Sequence, residues 1–382
     1  VARVFATRII LASQPRGKLM SDCLIIGGGI SGLLTALQMR EGGLAVTLLE
    51  RGNIGSESSW AGGGILSPLY PWRLSPKINA LASWSQAHYP HFLRELMEHT
   101  GIDAEYIRNG MLILDTEEYP QASQWASREN VPLELLDSET LHDCEPELGD
   151  HPQAIWMPDI AQIRNPRLLR ALKEACLQAG IKLLEQHEVN ALRQEHNQII
   201  GIDTDKQGFI AAPRVIVTTG AWTGRLLKTL ATSVTITPMR GQMILFETQP
   251  GLISRIVLGN EHYVIPRRDG HVLIGSTVED VGFNKTTTTA ALQDLKYAAL
   301  DLIPRLADYT VQRHWAGLRP SAPNGIPYIG EHPTIKGLYL NAGHFRNGIV
   351  LGFASARLLA DIILERPPII DPSPYALTAV RN

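Results

Sequence analysis

The chain has 382 residues, of which 44% are hydrophobic and 19% charged, a length for about two domains and a composition able to bury a substantial core. Its formal net charge of −3 leaves no electrostatic footprint for nucleic acid or an anionic membrane, so small-molecule chemistry is the expected class. Three well-separated cysteines, Cys23, Cys144 and Cys176, argue against a disulfide framework or a cysteine metal site and fit a reducing cytoplasm.

Residues 1–19 carry basic residues and no acidic one, the balance of a targeting presequence. Met20, however, stands just before the first apolar strand, and the chain begins with Val. A start site assigned too far upstream is the simpler reading, and the segment is expected to lie outside the fold.

From Ser21 a short apolar strand runs into Gly27-x-Gly29-x-x-Gly32, followed by the helical pattern Leu33, Leu34, Leu37, Met39 and a second strand, Leu44 to Glu50. Glu50 stands 18 positions after Gly32, close to where an acceptor for ribose hydroxyls belongs. Gly27 is expected to make the turn, Gly29 to admit a pyrophosphate and Gly32 to let helix and strand pack closely. An acidic residue at this position argues against a 2′-phosphate. Next comes a second glycine-rich loop, Ser58-Ser-Trp-Ala-Gly-Gly-Gly-Ile65, which suits a backbone running along an extended cofactor. Trp60 and Ile65 within it suggest packing rather than a loose linker.

The pattern resumes at Asn165-Pro166, read as a helix cap with Pro in the first turn, and continues to Gly180. Short strands follow from Ile181 through Ile210, then the buried-type strand Arg214 to Gly220. A cofactor fold interrupted by an insertion accounts for this order. Residues 236–318 read mostly as sheet, with a hairpin turning at Asp269-Gly270 and a helix from about 288 to 302. The apolar run from Gly348 to Leu364 is broken by Arg357 and Asp361, so it reads as a buried helix and not a membrane span. Just before it, Gly343-His-Phe-Arg-Asn-Gly348 places glycines around an arginine at a helix N-terminus, a place for something anionic or electron-rich. No Ser/His/Asp or metal-ligand constellation stands out.

With these pieces in order, the chain resembles the glycine oxidase branch of the D-amino-acid oxidase and sarcosine oxidase superfamily, the type associated with thiamine biosynthesis. The carrying residues are Gly27 to Gly32, Leu49-Glu-Arg51, Ser58 to Leu66, Thr218 to Trp222, Trp315 to Pro320, Pro327 to Gly330 and Gly343 to Gly348. The likeness runs from about residue 21 to the end.

The resemblance implies an α/β and α+β architecture: a discontinuous Rossmann-like FAD-binding domain with a mixed-sheet substrate-binding domain. Its expected boundaries are 20–85, 150–235 and 319–382 for the first domain and 86–149 and 236–318 for the second. It implies FAD contacts from Gly27, Gly29, Ile30, Ser31, Gly32, Glu50, Arg51, Ser58, Ser59, Gly63, Gly64 and Ile65. Adenine is expected near Val189, with further contacts at Gly220 and at His344, Phe345, Arg346, Asn347, Gly348, Ile349 and Val350. Some relatives attach flavin through a late cysteine, but none follows Cys176 here, so noncovalent FAD is expected.

Arg319 stands at the motif where the family places a substrate-carboxylate arginine, a fork suited to bidentate pairing. An inter-domain salt bridge is the other reading of that residue. Tyr263 aligns with an aromatic lining the family's substrate pocket, and the Arg346 backbone carbonyl is a candidate acceptor for the substrate amine. The pair Glu261-His262 departs from the family pattern and leaves the preferred amine open.

The expected reaction is oxidation of glycine, sarcosine or small D-amino acids with oxygen reduced to hydrogen peroxide, in the cytoplasm, with a homo-oligomer left open. Three other readings stand beside it: a D-amino-acid dehydrogenase donating to quinone, a flavin-dependent tRNA-modifying enzyme, and a flavin-binding subunit without catalysis.

Overall fold

A computed structural model describes residues 21–232 and 234–381; the segment 1–19, expected outside the fold, lies outside the described residues. Strand Cys23–Ile26 is buried along its whole length and sits inside a six-stranded sheet. The spatial order is Tyr328–Glu331, Leu338–Ala342, Val215–Val217, Cys23–Ile26, Val46–Leu49, Lys182–Leu184. All neighbours are parallel except Tyr328–Glu331, which runs antiparallel at the edge. Strands covered on both faces need apolar side chains at every position, which is why the sequences CLII and VIV lack alternation.

One face of this sheet carries helices Ile30–Glu41, Pro76–Thr100, Asn165–Gln178 and Gly348–Ile363. Leu192, Ile199 and Ile202, from the three-stranded antiparallel sheet of Val189–Glu195, Gln198–Thr204 and Gly208–Ala211, cover the other. Helix Gly348–Ile363 is apolar almost all round and is buried accordingly. Phe353 on it meets the rings of Phe92 at 4.4 Å, Trp84 at 5.4 Å and Tyr89 at 5.5 Å between centroids. The buried Tyr89 hydroxyl donates to the Ile349 carbonyl at 2.5 Å, so the phenol enters the core with its polar end satisfied.

The second sheet has eight strands. The long antiparallel pair Val311–Ser321 and Thr237–Glu247 is followed by His271–Gly275, His262–Pro266, Ile256–Gly259, Met111–Ile113, Gln153–Met157 and Glu134–Asp137. The expected hairpin at Asp269-Gly270 joins two of these strands. Helix Thr289–Leu302 begins at Thr288, whose hydroxyl accepts from Ala291 N, and packs Leu295 and Ala299 on this sheet.

Two of the expected boundaries, 85/86 and 318/319, fall inside single elements. Residues 85 and 86 lie within the single helix Pro76–Thr100, whose Tyr89, Leu93 and Leu96 join the core around Gly348–Ile363. Residues 153–157 fall on the cofactor side of the expected break at 150, yet they pair with Met111–Ile113 and Glu134–Asp137 in the eight-stranded sheet. Strand Val311–Ser321 runs through position 319 without interruption. Long-range pairing partners decide these edges, and spacing along the chain does not reveal them. No helix among the described residues is long and apolar enough to cross a membrane.

The aromatic cluster yields a stability prediction. Phe353→Ala should destabilise the protein by about 3–5 kcal/mol, the usual cost of removing a buried ring and leaving its cavity. Thermal melts of the purified protein check this, and an unchanged melting temperature would mean that the cluster closes up around the gap.

Candidate active site

A cavity of about 420 Å³ opens along the carboxyl ends of the parallel strands, the edge at which open α/β sheets bind ligands. Gly27 follows strand Cys23–Ile26, Glu50 follows Val46–Leu49, and Thr218 follows Val215–Val217; all three line the cavity. So do Gly29, Ile30, Ser31, Arg51, Ser58, Ser59, Gly63, Gly64, Ile65, Val189, Gly220 and the continuous stretch His344 to Val350. From the eight-stranded sheet come Gly241, Met243, Tyr263 and Arg319, with Ser276 just past strand His271–Gly275.

Gly32 is the exception among the expected cofactor residues. It does not line the cavity, and a Cβ there would overlap the Gly27 carbonyl oxygen and crowd Thr218 Oγ1. Its part is packing the helix onto the turn.

Helices Ile30–Glu41 and Gly348–Ile363 both begin at the cavity wall, and neither has an acidic residue in its first turn. Two positive helix ends therefore face one space. The Glu50 carboxylate is fixed between backbone donors, Gly28 N at 2.8 Å and Gly52 N at 2.9 Å. Arg51 lies 3.7 Å over the Trp222 ring and pairs with Glu57. Asn341 is fully buried on the wall; its amide nitrogen donates to Thr35 Oγ1, while its Oδ1 has no protein partner. Positive helix ends, a fixed carboxylate and an unsatisfied buried amide oxygen form a donor and acceptor set that fits an extended dinucleotide such as FAD.

The glycine-rich loop 58–65 owes its shape to side chains far away in sequence. Asn165 Nδ2 donates to the carbonyls of Ser59 and Gly62, each at 2.9 Å. Trp315 Nε1 donates to Ala61 O at 3.1 Å, Arg267 Nη2 to Gly63 O at 2.6 Å, and Ile163 N to Gly64 O at 2.9 Å. Asn165 is therefore no helix cap: it is the first residue of Asn165–Gln178 and makes no capping bond. The apparent cap signal before Pro166 concealed a loop-holding side chain. Arg267 was not singled out in the sequence, where it reads as one more charge beside a hairpin turn. Residues Ser58–Ala61 form one helical turn, and the Ser59 hydroxyl accepts from Ile30 N at 3.0 Å, tying this loop to the first one.

Arg319 is partly buried, its guanidinium lying flat against Gly241, where a Cβ would overlap it. It donates to Thr277 O at 2.9 Å and Ser276 Oγ at 2.6 Å and forms no ion pair among the described residues. Burial pushes its pKa below the ordinary value against the opposing influence of Tyr263, and the charge of Arg346 pushes the same way as burial. Tyr263 lies nearby, its ring packed against Gly275 and its hydroxyl 3.8 Å from Met243 Sδ. Arg346 Nη1 reaches Glu261 at 3.3 Å, while its Nη2 is buried without a partner. Glu261 also pairs with Arg73 at 2.7 Å, so the atypical acid beside Tyr263 links two cations at the cavity rim. No group of three or more His, Cys, Asp or Glu side chains suited to a metal occurs among the described residues.

His344, 3% exposed, shares a hydrogen bond with Ser355 Oγ at 3.1 Å, and burial lowers its pKa from 6.5 to about 4. Between these values the unfolded chain binds a proton that the folded one does not. Stability is therefore retained above pH 6.5 and lost as pH falls towards 4, by on the order of 3 kcal/mol. Denaturant unfolding at several pH values should show this slope, and His344→Gln should flatten it. An equal slope in the variant would place the acid sensitivity elsewhere.

Comparison with known proteins agrees with this geometry. The FAD dependent oxidoreductase (DAO) family matches residues 22–362. The chain is similar to the glycine oxidase of Pseudomonas aeruginosa, 47% identical over 355 residues that cover 92% of this chain and 97% of the relative. It is also similar to the bifunctional protein ThiO/ThiG of Trichormus variabilis, 34% identical over 90% of this chain and 53% of that longer protein. The crystal structure of glycine oxidase from Geobacillus kaustophilus superposes with a TM-score of 0.90 at 29% identity, covering 95% of this chain and 99% of that one. With a cavity built for a dinucleotide and a family match across nearly its whole length, this chain belongs to the FAD dependent oxidoreductases of the DAO family.

Proposed function

We propose that this chain is an FAD-dependent oxidase of glycine and similar small amines, sarcosine and small D-amino acids among them. The observation that carries the reading is Arg319: a guanidinium on the cavity wall, held by neutral groups such as Thr277 O and Ser276 Oγ, with no ion pair among the described residues. A cation so placed is suited to a carboxylate brought by the substrate. It also speaks against the inter-domain salt bridge, since no carboxylate partner is in place. The glycine oxidases among the similar proteins support the same substrate class.

In this reading the six-stranded half holds the cofactor, with Glu50 accepting from ribose hydroxyls and the amide end of Ile30–Glu41 receiving the pyrophosphate. Val189 would lie by adenine, and the His344–Val350 stretch would face the electron-rich edge of the ring. Cys23 and Cys176 are buried and none of the three cysteines lines the cavity, which supports noncovalent binding. FAD held there would supply the acceptor for a hydride from the amine α-carbon, with oxygen as the final electron acceptor, reduced to hydrogen peroxide.

The chain's own residues orient the substrate: Arg319 fixes the carboxylate, Tyr263 walls the pocket, and the Arg346 carbonyl accepts from the amine so that the α-carbon faces the ring. Hydrolysis of the resulting glycine imine gives glyoxylate and ammonia. The similarity to ThiO/ThiG proteins supports imine supply to thiamine thiazole synthesis as a role. A cytoplasmic enzyme, alone or as a homo-oligomer, completes the proposal.

Adding glycine to the purified holoenzyme in air should release hydrogen peroxide. Reduction only with a quinone acceptor would turn the assignment to a dehydrogenase, and activity on RNA alone would turn it to a modifying enzyme. Arg319→Ala should retain FAD yet raise the glycine KM by roughly 30- to 1000-fold, corresponding to about 2–4 kcal/mol for a lost charge-assisted pair. Amines without a carboxylate, if turned over, should be affected far less. Equal losses on both amine types with a lower melting temperature would identify Arg319 as structural instead.

A further inference from the structure

Arg267 follows strand His262–Pro266 and is 8% exposed. Its Nη1 donates to Gln162 Oε1 at 2.7 Å and Ile163 O at 3.0 Å, and its Nη2 to Gly63 O at 2.6 Å. All three acceptors are neutral, and Arg267 forms no ion pair among the described residues. The nearby carboxylates are engaged by other cations: Asp269 by Arg164, Glu105 by Arg164 and Arg167, Asp103 by Arg268. A buried charge without a contacting counter-charge is costly. Holding a loop carbonyl does not require one, since Asn165 holds Gly62 O with a neutral amide. The charge itself therefore needs a use.

The use lies one peptide away. In a trans peptide the C=O and the next N–H point in opposite directions. With Gly63 O drawn to Arg267, the Gly64 N–H is turned to the other side of the loop, and both glycines line the cavity. A guanidinium on the carbonyl also polarises that peptide, making its N–H a stronger donor.

We infer that Arg267 is a positioning residue for the cofactor ring, fixing the Gly63–Gly64 peptide and lending it a buried positive charge that favours negative charge on the ring. This rests on the reading that FAD lies along the 58–65 loop. Arg267 touches neither substrate nor reacting atoms in this arrangement; it acts through the peptide.

Sulfite, which adds to flavin N5 and leaves the ring negatively charged, is the probe, titrated into FAD-loaded protein by bleaching of the visible flavin band. Arg267→Gln retains a donor and removes the charge. Sulfite should bind it about tenfold more weakly, and the two-electron midpoint should fall by the corresponding ~30 mV. Arg267→Lys retains the charge and should stay within about threefold of the parent. Gln162→Glu leaves the arginine in place but sets a carboxylate against it, and should weaken sulfite binding as Arg267→Gln does. Parent-like sulfite affinity in Gln162→Glu or Arg267→Gln would overturn the inference, as would equal weakening in Arg267→Lys. The titration needs no amine, so failure to oxidise glycine would leave its result standing.

Discussion

The close approach of Gly32 to the Gly27 carbonyl sets the position of everything else in the site. A single Cβ at Gly32 would overlap that oxygen, and the Thr218 hydroxyl shares its one proton between the carbonyls of Ile26 and Gly27, closing the turn from the neighbouring strand. The result is a helix whose first amides stand at the carboxyl edge of the sheet. Glu50 then comes to the same edge because its strand is the parallel neighbour, paired in register from Cys23↔Val46 to Ile26↔Leu49.

Around that fixed edge the second glycine loop is shaped from outside. Its carbonyls are claimed by Asn165, Trp315, Arg267 and the backbone of Ile163, three of them side chains from distant stretches of the chain. Glycine makes the loop deformable, and these donors make it one shape. Gly64, at φ +83, and Gly63, flat against Tyr263 and Ile265, leave no room for larger residues. The loop's shape is thus set by both halves of the molecule: Trp315 and Arg267 belong to the eight-stranded sheet region, Asn165 to the helical layer.

Charge distribution follows the same economy. Surface arginines such as Arg193 and Arg305 have carboxylate partners, whereas Arg319 and Arg267 are held by neutral groups. Arg346 is intermediate, sharing Glu261 with Arg73 and keeping one nitrogen unpartnered. Cations shielded from bulk water exert a stronger pull than on the surface, which would suit the carboxylate of a glycine-type substrate.

The dinucleotide half was legible in the sequence because its determinants are local: glycines at fixed spacing, an apolar strand on each side and an acid at the end of the second strand all lie between Cys23 and Glu50. The hairpin at Asp269-Gly270 and the helix ending near residue 302 were legible for the same reason, each being encoded within one short stretch. Arg319 and Tyr263 were found through family motifs, not through any physical pattern in the chain. Tertiary structure alone decided that Pro76–Thr100 is one helix serving the cofactor core, that Gln153–Met157 joins the other sheet, and that Asn165 holds a loop instead of capping a helix. It also decided that Arg267 carries an unpaired charge behind that loop. Each of these depends on a partner from about 40 to 260 residues away, to which neither periodicity nor spacing refers; hydrogen-bond satisfaction and burial select it only once the chain is packed.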